Sequence, residues 1–236
     1  MSAANNDPMG QAILDFATTH KNVDIIVRSE ICDDDVIPSE YLFRSYDEMP
    51  RIEQIALEKC TGNILDVGAG AGIHAKHLIT QDKSVSCIDI SPKAVEHLTN
   101  QGIKARQLNF FDLKNESYDT LLMLMNGLGI AGCLANLELT LLKAKSLLSE
   151  GGKILCDSSD IKYLYEDNEG GYWVDLNAGY YGDFKFQMSY KEHTSEWFEW
   201  LYVDLENLTS IAKKIGLSIN LLHEEDGQYL VELTKQ

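Results

Sequence analysis

Positive charge is what this chain lacks most: 20 Lys and Arg stand against 37 Asp and Glu, a formal net charge of -17 over 236 residues. A surface that binds phosphate backbones needs clustered Lys and Arg, so nucleic acid is excluded as an expected partner. Neutral or cationic substrates suit this balance better than anionic ones, although a solvated acidic surface is the simpler account of it. The five cysteines, Cys32, Cys60, Cys87, Cys133 and Cys156, form no C-x-x-C pair. No disulfide framework or zinc site is readable from them, and no metal is expected. Met1 to Pro8 offers neither a basic stretch nor an apolar core, which argues against a signal peptide. Long apolar runs are also scarce. Thr120 to Leu137 holds 18 residues without a charge, but Asn126, Gly127, Gly129, Gly132 and Asn136 interrupt it. A strand, a loop and a helix explain it better than a membrane span. Repeats and low-complexity tracts are absent. A cytoplasmic protein with no membrane partner is expected.

What is present is regular alternation. Hydrophobic residues make up 44% and charged residues 24%, a globular balance. Met9 to Thr19 has helical spacing, Val23 to Val27 reads as a short strand, and Arg51 to Lys59 as a helix ending at Gly62. From there strands are expected at 64–67, 84–90, 105–108, 118–125 and 153–156, with helices at 71–80, 92–100 and 135–148 between them. Ser91 is placed to cap the second of these, with Pro92 at its first position. Glu150-Gly151-Gly152 is read as the stop of the third. Strands that alternate with helices indicate parallel βαβ units. All three tryptophans and seven of eleven tyrosines then fall between Asp160 and Tyr202, where alternation from Phe184 to Tyr190 predicts an inserted hairpin. Helix 205–215 and two strands around Asp226-Gly227 close the chain.

Ile64 to Gly72 is the most informative segment: an apolar strand, Asp66, and glycines at 68, 70 and 72 before a helix. Such a turn lets a ligand lie against the main chain at a helix N-terminus. A triphosphate loop would need Gly-Lys-Ser/Thr, but Ile73-His74 follows Gly72. A nicotinamide fingerprint spaces its glycines as G-x-G-x-x-G, whereas here Ile73 takes the last place. Asp66 also sits awkwardly beside a pyrophosphate and suits a ligand with positive charge.

In these residues the chain resembles the class I, Rossmann-like methyltransferases that use S-adenosylmethionine. Asp66, Gly68, Gly70 and Gly72 match their first motif, acidic-x-G-x-G-x-G. Asp89 stands where that family binds both ribose hydroxyls, and Ile90 where it touches adenine. Asn109-Phe110-Phe111-Asp112 matches the third motif, Asn126-Gly127 the fourth and the Leu148–Leu155 loop the fifth, so the resemblance spans about residues 63 to 157. It implies a doubly wound, mostly parallel seven-stranded sheet with an inserted β-hairpin near the C-terminus and an N-terminal helical cap. It further implies a cofactor site of Asp66, Gly68, Ala69, Gly70, Asp89, Ile90, Phe111, Asp112, Asn126 and Gly127. One domain over 1–236 is expected: a cap (1–60), a cofactor-binding half (61–160), an aromatic-rich insert (161–203) and a closing helix with two strands (204–236). A nicotinamide-dependent oxidoreductase and a non-catalytic nucleoside-binding module stay open as alternatives.

The family's Asn/Asp-Pro-Pro-Tyr/Phe motif for amino groups of nucleic acids and proteins is missing, since Asn126-Gly127-Leu128-Gly129 stands in its place. A small-molecule acceptor is therefore expected. Tyr41, Arg44 and Tyr46 are candidates to close over the methionine end, and Ser158 to touch the acceptor. Asp157 and Asp160 are the candidates for a base, with capping of the following segment as the bland use of Asp160. Tyr163, Tyr165, Tyr172, Trp173, Tyr180 and Tyr181 could wall a pocket, pack the hairpin or form a homodimer contact. His74 is read as lining its helix, ahead of any catalytic use.

Overall fold

A computed structural model describes residues 6–166 and 179–236; Tyr172 and Trp173 lie outside them. In chain order the elements are α1 (Pro8–Thr19), β1 (Asp24–Ser29), β2 (Asp35–Pro38), α2 (Arg51–Lys59), β3 (Asn63–Val67), α3 (Ile73–Thr80), β4 (Ser84–Asp89), α4 (Pro92–Asn100), β5 (Ala105–Gln107) and β6 (Tyr118–Met123). They continue with α5 (Leu134–Ser146), β7 (Leu148–Ser159), β8 (Asp183–Tyr190), β9 (His193–Thr194), β10 (Phe198–Leu201), α6 (Leu205–Lys214), β11 (Leu217–Glu225) and β12 (Gln228–Lys235).

Seven strands form the main sheet in the order β11-β12-β7-β6-β3-β4-β5. β12 runs antiparallel to β7 and to β11, while the pairs from β7 to β5 are parallel. Both faces are covered, and successive residues show it. Leu65, Leu121, Ile154 and Val231 pack in one core with Leu137, Leu141 and Leu208 from α5 and α6. Their neighbours Ile64, Leu122, Leu155 and Leu230 pack in another with Ala56, Ala75, Leu78 and Leu98 from α2, α3 and α4. That is why the central strands read as continuous apolar runs rather than as alternation.

Local signals place most ends. The Ser91 side chain accepts from the Ala94 amide at 2.9 Å, ahead of Pro92. Asp226 and Gly227 both take positive φ, 49° and 78°, the backbone of a two-residue type I′ hairpin. One stop is corrected. α5 ends at Ser146, and Glu150-Gly151-Gly152 lies inside β7, at a register irregularity opposite Tyr118 and Thr120. The strand accommodates the extra chain there, with Gly151 at φ 72°.

The expected hairpin is part of something larger. β8 pairs with β10, and through its other edge with β1, giving a second sheet of order β10-β8-β1-β2 with β9 on β8. The insert and the N-terminal cap thus share one sheet. α1 lies beneath it, burying Ala12 and Ile13 against Ile25, Ala94 and Tyr190.

Gly72 ties the glycine turn to α4. Its φ is +77°, and a Cβ there would stand 2.3 Å from Leu98 Cδ2. Gly72→Ala is expected to cost about 2 kcal/mol through overpacking and left-handed strain, read as a lower urea midpoint at unchanged slope.

Candidate functional site

Crossovers leave in opposite directions from β3 and β6, so a crevice opens at their carboxyl ends. Asp66 lies on its floor, 2% exposed, and its Oδ2 has no hydrogen-bond partner. Burial, and secondarily the nearby Asp89, pushes the Asp66 carboxyl up to about 6, against the pull of His74. Above it the chain turns through Gly68 and Gly70, whose amides are tied to the end of β4. Gly68 donates to the Ile88 carbonyl at 2.9 Å, and Gly70 to Asp89 Oδ2 at 2.8 Å. A Cβ on either glycine would meet nothing within 4 Å. The turn therefore faces open space where a ligand can lie.

Asp89 is held from two sides, because its Oδ1 accepts from the Ser91 amide at 2.8 Å. Burial raises its carboxyl, and the Ser91, Gly70 and Ile90 backbone donors oppose that. Each oxygen keeps acceptor capacity for a hydroxyl. Beside it Ile90 is 72% and Phe111 43% exposed, apolar surfaces on which a flat base could stack. Asn109 orders this corner by accepting from the Phe111 amide at 3.0 Å, next to the exposed Asp112.

The N-terminal cap closes one end of the crevice through a buried polar chain that the sequence reading missed. Glu53 on α2 pairs with Arg44 through one oxygen and with His74 through the other, the latter at 2.7 Å. Burial pulls the Glu53 carboxyl upward, but His74 and Arg44 outweigh it and hold it below the ordinary value. Arg44 also donates to the Tyr41 carbonyl at 2.7 Å and lies 4.0 Å over the Tyr41 ring, while its Nε is buried without a partner. Tyr41 and Arg44 thus stand together. Tyr46 does not join them: its ring stacks on His77 at 4.0 Å, and its hydroxyl donates to Glu58. A signal for Glu53 was available, since it shares a helical stripe with the buried Ala56 and Leu57.

At the other end, Met125 and Asn126 both take left-handed φ, 59° and 56°, a costly conformation for residues with a Cβ. The buried Asp157 holds this turn, its Oδ1 accepting from the Asn126 amide at 3.0 Å. Burial pushes the Asp157 carboxyl up to about 6, and the Asn126 and Gly127 amides oppose the shift. Ser158 is corrected. It is 1% exposed, donates to Asn126 Oδ1 at 2.8 Å and accepts from the Val203 amide at 3.0 Å, so its hydroxyl is committed to locking loops together. Asp160 takes the bland role, accepting from the Lys162 amide and the Tyr181 hydroxyl. Tyr165 and Tyr180 are likewise bound into the frame, to the Tyr181 carbonyl and to Asp204, whereas Tyr163 is exposed. Among the described residues no group of His, Cys, Asp and Glu could hold a metal ion.

Residues 58–203 match the family model described as a methyltransferase domain. A crystal structure of a SAM-dependent methyltransferase from Bacteroides fragilis, in complex with S-adenosyl-L-homocysteine, is 44% identical. It superposes with a TM-score of 0.92, covering 100% of this chain and 97% of that one. The CcbJ methyltransferase of Streptomyces caelestis shares the fold at 15% identity and a TM-score of 0.60, over 80% of this chain and 94% of its own. A SAM-dependent methyltransferase from Clostridium acetobutylicum does so at 15% and 0.56, over 80% and 93%. No curated protein sequence matches the chain.

Proposed function

The chain belongs to the S-adenosylmethionine-dependent methyltransferases, and from that premise we propose how its residues divide the work on a small-molecule acceptor. The cofactor supplies a methyl group on a sulfonium sulfur, so the chain's task is alignment and exclusion of water. Gly68, Ala69 and Gly70 receive the nucleoside against bare backbone. Asp89 accepts from both ribose hydroxyls, Ile90 and Phe111 cover the adenine, and Asp112 accepts from its amino group. Asp66 offers its unpartnered oxygen to the ammonium, while Asn126 and Gly127 line the methionine chain and Tyr41 and Arg44 close its end. One domain serves all of this, in the cytoplasm; no helix among the described residues is long and apolar enough to cross a membrane.

The single observation that carries this assignment is the buried Asp66 carboxylate, with a free oxygen below two glycines whose Cβ positions are open. Calorimetric titration is expected to show binding of S-adenosylmethionine and S-adenosylhomocysteine and none of NAD. Binding of NAD alone would overturn it.

The Asp66 carboxyl also sets a pH dependence. It titrates near 6 in the free protein, and only the carboxylate pairs with an ammonium. Affinity is therefore expected to be level from about 6 up to about 8, where an α-amino group loses its proton, and to fall below about 6, approaching tenfold per pH unit. Asp66→Asn should bind weakly at neutral pH and lose that acid limb. Calorimetry between pH 5 and 8 reads both.

A further inference from the structure

Resting on the methyltransferase reading, we infer that the methyl acceptor is an organic amine, cationic in solution, seated under the aromatic face of the second sheet with its nitrogen at Asp157. Strand register defines that face. Directly opposed residues in antiparallel pairs project to the same side. Phe186 opposes Phe198, Phe184 opposes Trp200, and Val27 opposes both Met188 and Asp35. One face therefore carries four aromatic rings and the Asp35 carboxylate. Tyr202 adds a fifth ring, 5.6 Å from Phe184 and 6.2 Å from Phe186.

This face is pinned over the crevice. A Cβ on Gly129 would stand 2.1 Å from the Trp200 indole, so that ring lies flush on the segment after β6. The residues flanking Tyr202 are tied to the Asp157 corner: Asn126 donates to the Leu201 carbonyl at 3.1 Å, and Val203 donates to Ser158. The charge of Asp157 reaches Tyr202, Tyr41 and Glu53 alike. Asp157 thus stands where roof, cap and crevice meet. Its Oδ1 holds the turn, accepting from the Asn126 amide at 3.0 Å and from that of Gly127 at 3.5 Å.

Charge selects the ligand. Asp157 stands at the base, Asp35 on the face above, and Arg44, the cation packed on Tyr41, is committed to Glu53. A carboxylate or phosphate acceptor would meet like charge, and a neutral alcohol would leave the buried Asp157 charge without a counter-ion. An ammonium gains both the carboxylate and the ring faces. The step balances. Asp157 Oδ2 takes one proton from the ammonium, freeing a nitrogen lone pair. That pair forms the new N–CH3 bond while the S–CH3 bond breaks with its electrons left on sulfur, which becomes a neutral thioether. The positive charge ends on the methylated nitrogen. A carboxyl raised toward neutrality by burial is a better proton acceptor than one on the surface.

The test uses the full chain saturated with S-adenosylhomocysteine, titrated with phenyltrimethylammonium, its neutral isostere tert-butylbenzene, and benzenesulfonate, read by intrinsic fluorescence. The cation is expected to bind about tenfold tighter than the isostere, and the sulfonate more weakly than either. Asp157→Asn should lower the cation's affinity about tenfold and leave that of the isostere unchanged, separating charge from disruption of the turn. Asp35→Asn, remote from the cofactor residues, should cost the cation roughly threefold with unaltered S-adenosylhomocysteine binding. Equal binding of cation and isostere, preference for the sulfonate, binding of no probe, or an Asp157→Asn variant that retains the cation or loses both ligands together overturns the inference. A protein that does not bind S-adenosylhomocysteine sinks the methyltransferase reading instead.

Discussion

Glu53→Ala is expected to destabilise the fold by about 3–5 kcal/mol, because it leaves Arg44 buried without its counter-charge and His74 without its acceptor. Glu53→Gln keeps one acceptor oxygen and the shape, so roughly half that loss is expected. Urea unfolding with a constant slope reads both. The sign with pH follows from the depressed Glu53 carboxyl. Its contribution is complete above the unfolded value of 4.5 and is lost as pH falls through the lower folded one. The wild type should therefore lose this stability on acidification below about 4.5, and the alanine variant should have nothing there to lose. Because the same carboxylate positions Arg44 over the Tyr41 ring, cofactor affinity should fall as well.

Asp89→Ala is expected to weaken S-adenosylhomocysteine binding by about 2–3 kcal/mol, roughly 30- to 150-fold. Two effects add. The ribose loses a charged acceptor for its two hydroxyls, and the Gly70 and Ser91 amides lose the carboxylate that now orients them. Asp89→Asn keeps one carbonyl oxygen and should fall between the two. Calorimetry gives the affinities; an Asp89→Ala protein that binds as tightly as the wild type removes the ribose assignment.

The sequence made legible whatever local chemistry encodes. The glycine turn, the Ser91-Pro92 cap and the Asp226-Gly227 hairpin each rest on residues within a few positions of one another, and the structure has all three. Pairing over long range was not legible. Alternation marks Phe184 to Tyr190 as a strand with two edges, but nothing in it names β1 as the partner on the second edge. Exposure was equally hidden. Ser158 looks like a hydroxyl at the mouth of a strand, and partners distant in sequence, Asn126, Val203 and Tyr229, enclose it. Tyr46 lies two residues after Arg44, yet the extended backbone at Ser45 carries it toward α3. Glu53 could have been found as an acid on an apolar stripe, though its partners could not.

The pairing of β1 with β8 also sets an order of events during synthesis. β1 emerges early and can form its hairpin with β2 at once. Its other edge, through Ile26 and Val27, stays open until residues 183–190 have left the ribosome. An open edge carrying Ile25-Ile26-Val27 is a template for pairing with another chain. The main sheet is exposed to the same timing, because β12 is made after both β7 and β11 yet lies between them. The nascent chain therefore carries the β1 edge open until residues 183–190 appear and the β7 edge open until residues 228–235 do, and its yield should depend on how quickly synthesis reaches them.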